Sequence, residues 1–189
     1  MARVGRAVRE TREVKIYVEV NLDAPGYDIR TPYRFLTHML ETMAHHGVLG
    51  LRVDASGDMS HHVVEDTGIA IGEALSHALG DRAGIGRFGY AIIPMDDALV
   101  MVSIDLIRRP YSVIDLGLDG SYIEDLEGSL IEHLLRSMSL SGLFTLHAKR
   151  IHGEDPHHIA EACFKALGVS LKEAVKPTGR ESISVKGVA

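Results

Sequence analysis

Three features of the 189-residue sequence predict an α+β fold made from two copies of one βα unit, each a four-stranded sheet with helices on one face. Strand-period alternation gives way to helix-period patterning twice along the chain. A helix opening on His-His-x-x-Glu occurs twice, as His61-His62-Val63-Val64-Glu65 and His157-His158-Ile159-Ala160-Glu161. A single histidine precedes each pair at nearly the same distance, His38 by 23 residues before His61 and His133 by 24 before His157.

In chain order, residues 14–20 alternate as a strand, and residues 35–43 have helical spacing closed by Gly47. Residues 48–53 form a second strand, and a long helix runs from His61 to Leu79 and stops at Gly80. The second half repeats this with a strand at 100–106, a helix at 130–138, a strand at 143–151 and the second His-His helix. Asp155-Pro156 opens that helix, a capping residue followed by proline at the first helical position. Glu10 lies four residues before Val14 and Asp96 four before Val100, which makes the two acids counterparts. The division falls near residue 93, giving halves 1–93 and 94–189. Each sheet needs cover on its helix-free face, and the simplest cover is its twin, so the halves should pack together as one body.

With 46% hydrophobic and 24% charged residues, the composition is that of a globular protein. A net charge of -6 argues against nucleic-acid binding, which needs a surplus of Lys and Arg. No run of residues is long and apolar enough for a membrane span, and the start lacks an apolar signal stretch, so a cytoplasmic location is expected. The lone Cys163, flanked by Ala162 and Phe164, reads as a buried structural thiol.

Clustering of the histidines points to metal chemistry. Positions three and four apart share a helix face, so Glu65 neighbours both His61 and His62, whereas the two histidines themselves diverge by about 100°. One ion cannot easily take both. Two metals, each using one histidine of each pair, fit better. With His38 and His133 added, six histidines and two glutamates supply four ligands to each of two ions. His45, His77, His147 and His152 read as ordinary surface or satisfied histidines, and His46 stands between the two cases. Imidazole with carboxylate suits manganese, iron, zinc or nickel, and the spacing selects none of them.

The runs Phe35-Leu36-Thr37-His38-Met39-Leu40, His61-His62-Val63-Val64-Glu65-Asp66 and Gly84-Ile85-Gly86-Arg87-Phe88-Gly89 resemble imidazoleglycerol-phosphate dehydratases of histidine biosynthesis. Arg109-Pro110 and the ten residues from His157 to Ala166 extend the likeness, which spans nearly the whole chain. The resemblance implies a hydro-lyase converting imidazole glycerol phosphate to imidazole acetol phosphate through imidazolate and diazafulvene-like species. It also implies two manganese ions, a fold related to the second domain of ribosomal protein S5, and self-association into a 24-subunit shell with sites at subunit interfaces. By position, one metal would take His38, His62, Glu65 and a neighbouring subunit's His158; the other would take His133, His157, Glu161 and a neighbour's His61. Glu10 resembles the family's acid–base residue with Asp96 as its counterpart, and His61 and His158 join them in the catalytic set. The phosphate would be met by Arg87, Arg109, Lys165, Ser184 and Lys186, assisted by His46. The sequence departs from the family at Thr37 and Thr42, usually aspartate and glutamine, and in a shorter loop before His61.

Other readings are a metalloenzyme of the same fold acting on another small phosphorylated heterocycle, a metal-storage shell, and a domain using metal only for assembly. Glu10 with Arg87, Arg109 and Lys186 speaks against the last two, because storage or assembly needs no phosphate pocket.

Overall fold

The computed structural model describes residues 2–179, so Ser184 and Lys186 lie outside the described residues. In the first unit β1 (Val4–Glu10) and β2 (Val14–Asn21) pair antiparallel, β3 (Gly26–Arg30) follows, and α1 (Arg34–Gly47), β4 (Gly50–Gly57) and α2 (Ser60–Leu79) complete it. The second unit holds β5 (Phe88–Met95), β6 (Ala98–Asp105), β7 (Tyr111–Asp115), a small hairpin of β8 (Tyr122–Ile123) and β9 (Leu126–Glu127), α3 (Gly128–Ser141), β10 (Thr145–His152) and α4 (Pro156–Ala174). The sheet orders β1-β2-β4-β3 and β5-β6-β10-β7 are the same topology used twice.

Alternation sets the faces. Val14, Ile16, Val18 and Val20 of β2 point inward, as do Ala98, Val100, Val102 and Ile104 of β6. The helices lie against these inner faces, α2 on β1 and β2, and α4 on β5 and β6. Across the molecule α2 packs on α3 and α1 on α4, so the two units meet through their helices. This overturns the expectation that the helix-free sheet faces pack on each other. Helix stripes such as Leu36, Met39, Leu40 and Met43, at most 2% exposed, belong to the shared core. Each fully buried side chain of this kind contributes about 1.5–3 kcal/mol. The outer sheet faces stay open. The first carries the charged row Arg6, Glu19, Arg52 and Asp28, which lie side by side in the register. The second carries exposed Phe88, Tyr90, Ile92, Tyr111 and Val113.

Residue 93 lies inside β5, which pairs with β6 and so belongs to the second unit; the junction falls in loop 80–87. The register also corrects the pairing of Glu10 with Asp96. Gly5 faces Val20 and Gly89 faces Ile104, an offset of 84 on both strands, since 89 − 5 and 104 − 20 are each 84. Glu10 therefore corresponds to Pro94, and Asp97 corresponds to Glu13. A period-two pattern is unchanged by a slip of two residues, which is the slip the sequence reading made.

Close helix contact depends on glycine at equivalent places. A Cβ on Gly72 of α2 would stand 2.4 Å from the Met138 carbonyl oxygen, and one on Gly168 of α4 would stand 2.4 Å from that of Met43. Both helix pairs thus approach backbone to backbone, bringing their side chains into short reach.

Candidate active site

The helix pairing decides which histidines meet. His38 on α1 and His157 on α4 bring Nε2 atoms to 3.6 and 3.4 Å of Glu161 Oε2. His61 on α2 and His133 on α3 bring Nε2 atoms to 3.4 and 3.3 Å of the two Glu65 oxygens. In each of these two groups the ligand atoms lie within 4.8 Å of one another, the spacing of a cation site. The first histidine of each pair therefore plays the same part in both units. This regroups the set carried over by resemblance: within the chain Glu65 joins His61 and His133, not His38 and His62, and Glu161 joins His38 with His157. The reason is packing, because α2 lies against α3 and α4 against α1.

The residues fit a divalent ion. His133 Nε2 is buried with no hydrogen-bond partner among the described residues, a costly state unless something else meets its lone pair. The donor set, two imidazoles and one carboxylate, leaves coordination positions for further ligands, as catalytic sites do.

The second histidines turn elsewhere. His62 Nδ1 lies 2.9 Å from Asp58 Oδ1 and 3.8 Å from Glu13. His158 Nδ1 lies 2.6 Å from Asp97 Oδ1. These carboxylates raise both imidazole pKa values above 6.5, chiefly by accepting the ring hydrogen bonds at Asp58 and Asp97. Asp97 is held well below the usual carboxylate range, first by the Glu154 amide, then by His158 and the Asp155 amide.

Cross-unit contacts hold the α1/α4 cluster. Helix α1 has no cap of its own; Asp125, in the β8–β9 turn of the other unit, accepts from the amides of Arg34 (2.6 Å) and Phe35 (3.1 Å). Its neighbour Glu124, at a left-handed φ of 54°, places Oε1 3.2 Å from His157 Nδ1. Arg34, Phe35, His38, Glu124, Asp125 and His157 line an open cleft of about 490 Å³. Helix α4 is capped as expected, Asp155 accepting from the His157 amide at 2.8 Å beside Pro156.

The other expected site residues are dispersed. Asp96 sits in the β5–β6 turn at φ 47°, with Oδ2 3.4 Å from His158 Nε2. Glu10 ends β1, exposed, with Lys15 Nζ at 3.8 Å. Lys165 does not stand free: its Nζ lies 2.9 Å from Glu161 Oε1 and 3.0 Å from Met95 Sδ. Burial would raise the Glu161 pKa, but Lys165 and His38 outweigh it and hold it below the ordinary value. His46 is half-buried and lowered, mainly by that burial. Arg87 donates to Asp105 at 2.7 and 2.9 Å and stacks on Phe88. Arg109 is exposed in the loop after β6. Arg87 and Asp97 flank opposite ends of β5, whose eight residues span roughly 25 Å. Cys163 is fully buried, its thiol pushed up to about 12 by desolvation, as a structural cysteine requires.

Sequence reasoning missed Asp58, Glu13, Asp97, Glu124 and Asp125. Asp58 carried a signal, an acid just ahead of the helix start and four residues before His62. Asp97 is 61 residues before His158, and Glu124 with Asp125 belongs to a hairpin absent from the first unit, so neither had a local pattern.

Fold and clusters together define a class: a duplicated α+β protein with two equivalent histidine–carboxylate sites suited to divalent cations. The profile of imidazoleglycerol-phosphate dehydratase matches residues 31–171. Curated relatives of that name are similar along their length. The one from Paracoccus denitrificans is 46% identical, covering 94% of this chain and 93% of its own. The one from Methanothermobacter thermautotrophicus is 43% identical, covering 98% and 97%. Among solved structures, the dehydratase from Pyrococcus furiosus superposes with a TM-score of 0.86 at 38% identity, covering 97% of this chain and 100% of that one. That from Staphylococcus aureus gives 0.85 at 32%, covering 93% and 99%.

The chain belongs to the imidazoleglycerol-phosphate dehydratase family. It is a hydro-lyase of histidine biosynthesis, acting on imidazole glycerol phosphate to give imidazole acetol phosphate.

Proposed function

We propose that the dehydration depends on two divalent ions, manganese foremost, one held by His38, His157 and Glu161 and the other by His61, His133 and Glu65. The observation that carries this reading is the buried His133 Nε2 facing Glu65, with no hydrogen-bond partner among the described residues, in a cluster that the duplication repeats. Bound ions would supply Lewis-acid polarisation of the substrate's ring nitrogens. His62 and His158 belong to neither cluster of their own chain, and we assign them to ions of neighbouring copies. The expected crossing role of His158 is kept, and that of His61 passes to His62.

The remaining roles fall to this chain's own side chains. Asp96, beside His158, is placed to move a proton at the substrate carbon, and Glu10 is retained as the second acid–base group. Arg87 and Arg109 receive the phosphate, with Asp105 holding the Arg87 fork in place. Lys165 and His46 add to the field around the His38 cluster, and Ser184 and Lys186 complete the set by resemblance. Because Arg87 and the His158 turn flank opposite ends of one strand, a complete site draws on more than one copy. The exposed aromatic face of the second sheet supports such association, and the 24-subunit shell is the assembly proposed. A cytoplasmic location goes with the biosynthetic role.

The test is to strip the protein with chelator, restore manganese and follow ketone formation from imidazole glycerol phosphate, with sedimentation to measure assembly. Turnover that persists in the stripped protein and ignores added metal would overturn the metal reading.

A further inference from the structure

We propose that Asp97 is a positioning residue that aims His158 at an ion held by a neighbouring copy of the chain, and that Asp58 does the same for His62. This rests on the metal reading above and goes beyond it by assigning roles to two carboxylates that contact no ion.

Of the six histidines, four turn Nε2 to a glutamate and two hold Nδ1 on an aspartate, His157 having Glu124 3.2 Å from its Nδ1 as well. His38, His61, His133 and His157 all turn Nε2 toward a glutamate of their own chain. His62 and His158 instead anchor Nδ1 on an aspartate, at 2.9 and 2.6 Å. A ring that donates Nδ1–H to a carboxylate keeps its lone pair on Nε2, and its orientation is fixed by that bond. On His158 the Nε2 has Asp96 beside it at 3.4 Å, with no hydrogen bond among the described residues. Each of these two rings is therefore set as a ligand, and neither belongs to a cluster of its own chain among the described residues.

The anchors are themselves anchored. Asp97 uses its second oxygen to accept the amides of Glu154 at 2.6 Å and Asp155 at 3.0 Å, which ties the β5–β6 turn to the start of α4. Asp58 accepts the Met59 amide at 2.7 Å through the same oxygen that meets His62.

The two anchors are not copies of one ancestral residue. Asp58 precedes His61 by three residues, as Glu154 precedes His157, so its counterpart is Glu154. The counterpart of Asp97 is Glu13, by the strand register described above. The two units thus reach one arrangement, a carboxylate on Nδ1 of the second histidine, from different positions in the fold. Glu13, the counterpart of Asp97, also faces His62 Nδ1 but stands off at 3.8 Å, and Asp58 makes the hydrogen bond instead. A shared demand on the ring explains why different residues do it.

The experiment measures equilibrium manganese binding to the chelator-stripped full chain, in wild type, Asp97→Asn, His158→Ala and the double variant. Asparagine keeps an acceptor for the α4 amides while weakening the charged hold on the ring. Asp97→Asn is expected to weaken one class of sites by about 10- to 100-fold. In the His158→Ala background the same change should have no further effect, because the aspartate acts through that ring. Circular dichroism of the metal-free variants checks that the fold is kept. If Asp97→Asn does not fold, the parallel cycle of Asp58→Asn with His62→Ala decides the matter. Manganese affinity unchanged by the aspartate substitution, or an equal loss when the histidine is already absent, would overturn the proposal. A wild-type chain that takes up no manganese would fail at the first measurement and bring down the metal reading itself.

Discussion

Nε2 of His133 lies 3.3 Å from Oε1 of Glu65, buried and with no hydrogen-bond partner among the described residues, although the two residues come from opposite units of the fold. Such a nitrogen is stable only if something satisfies it. His133→Ala should lower bound manganese to about half that of wild type, since one of two equivalent clusters is lost, and reduce turnover by more than about 100-fold. Elemental analysis of the purified variant measures the first. Full metal occupancy would remove His133 from the ligand set.

The helix pairs that build the clusters meet at glycine. Gly72→Ala and Gly168→Ala would each force a methyl against a carbonyl oxygen at 2.4 Å. Overpacking of this kind costs about 1–3 kcal/mol. Urea unfolding of the metal-free chain should show the shift in midpoint for both variants, and two midpoints equal to wild type would contradict the close approach.

The His158–Asp97 pair predicts a stability window in pH. The His158 pKa is raised above 6.5, so its contribution is complete below that value and is lost as pH rises through the folded pKa. The Asp97 pKa is depressed below 3.8, so its contribution is complete above that value and is lost as pH falls through the folded pKa. The pair therefore stabilises the metal-free chain mainly between these limits. The difference between thermal melts of wild type and Asp97→Asn should be largest near pH 5 to 6, vanish about one unit or more below the window, and narrow without vanishing above it, because the Glu154 and Asp155 amides still meet the charged Asp97. A difference that grows steadily toward pH 9 would refute the pair's role.

Arg82 is buried with no acid hydrogen-bonded to it, donating to the carbonyl oxygens of Leu143 (2.6 Å), Gly142 (2.7 Å) and Leu106 (3.2 Å) and to Ser76 Oγ (3.2 Å). Desolvation lowers its pKa to about 10. The guanidinium ties the end of α3 to α2 and β6. Arg82→Met leaves these carbonyls without their donor and should cost about 3 kcal/mol, read from the denaturant midpoint. A neutral substitution would show that water replaces the donor.

Much of this was legible in the sequence because the signals are local. Hydrophobic period placed α2 and α4 nearly to the residue, and Asp155-Pro156 marked the start of α4. The His-His-x-x-Glu repeat pointed to residues that do cluster, since helix geometry alone brings Glu65 to His61 and Glu161 to His157. Strand register was not legible, because alternation looks the same after a slip of two, and so Glu10 was matched to Asp96 in place of Glu13 to Asp97. Arg82 gave no sign at all: nothing around residues 80–87 distinguishes a buried arginine from an exposed one.

By itself the sequence determined the duplicated α+β architecture, the inventory of six histidines and two glutamates, and the family resemblance. These depend on periodicity and spacing, which the chain carries along its length. Tertiary structure alone decided which residues share a cluster, which histidines stand outside both clusters and what holds them there. Those outcomes follow from α2 lying on α3 and α1 on α4, a choice made by core packing between segments far apart in the chain, 66 residues at Gly72–Met138 and 125 at Met43–Gly168, to which no local pattern responds.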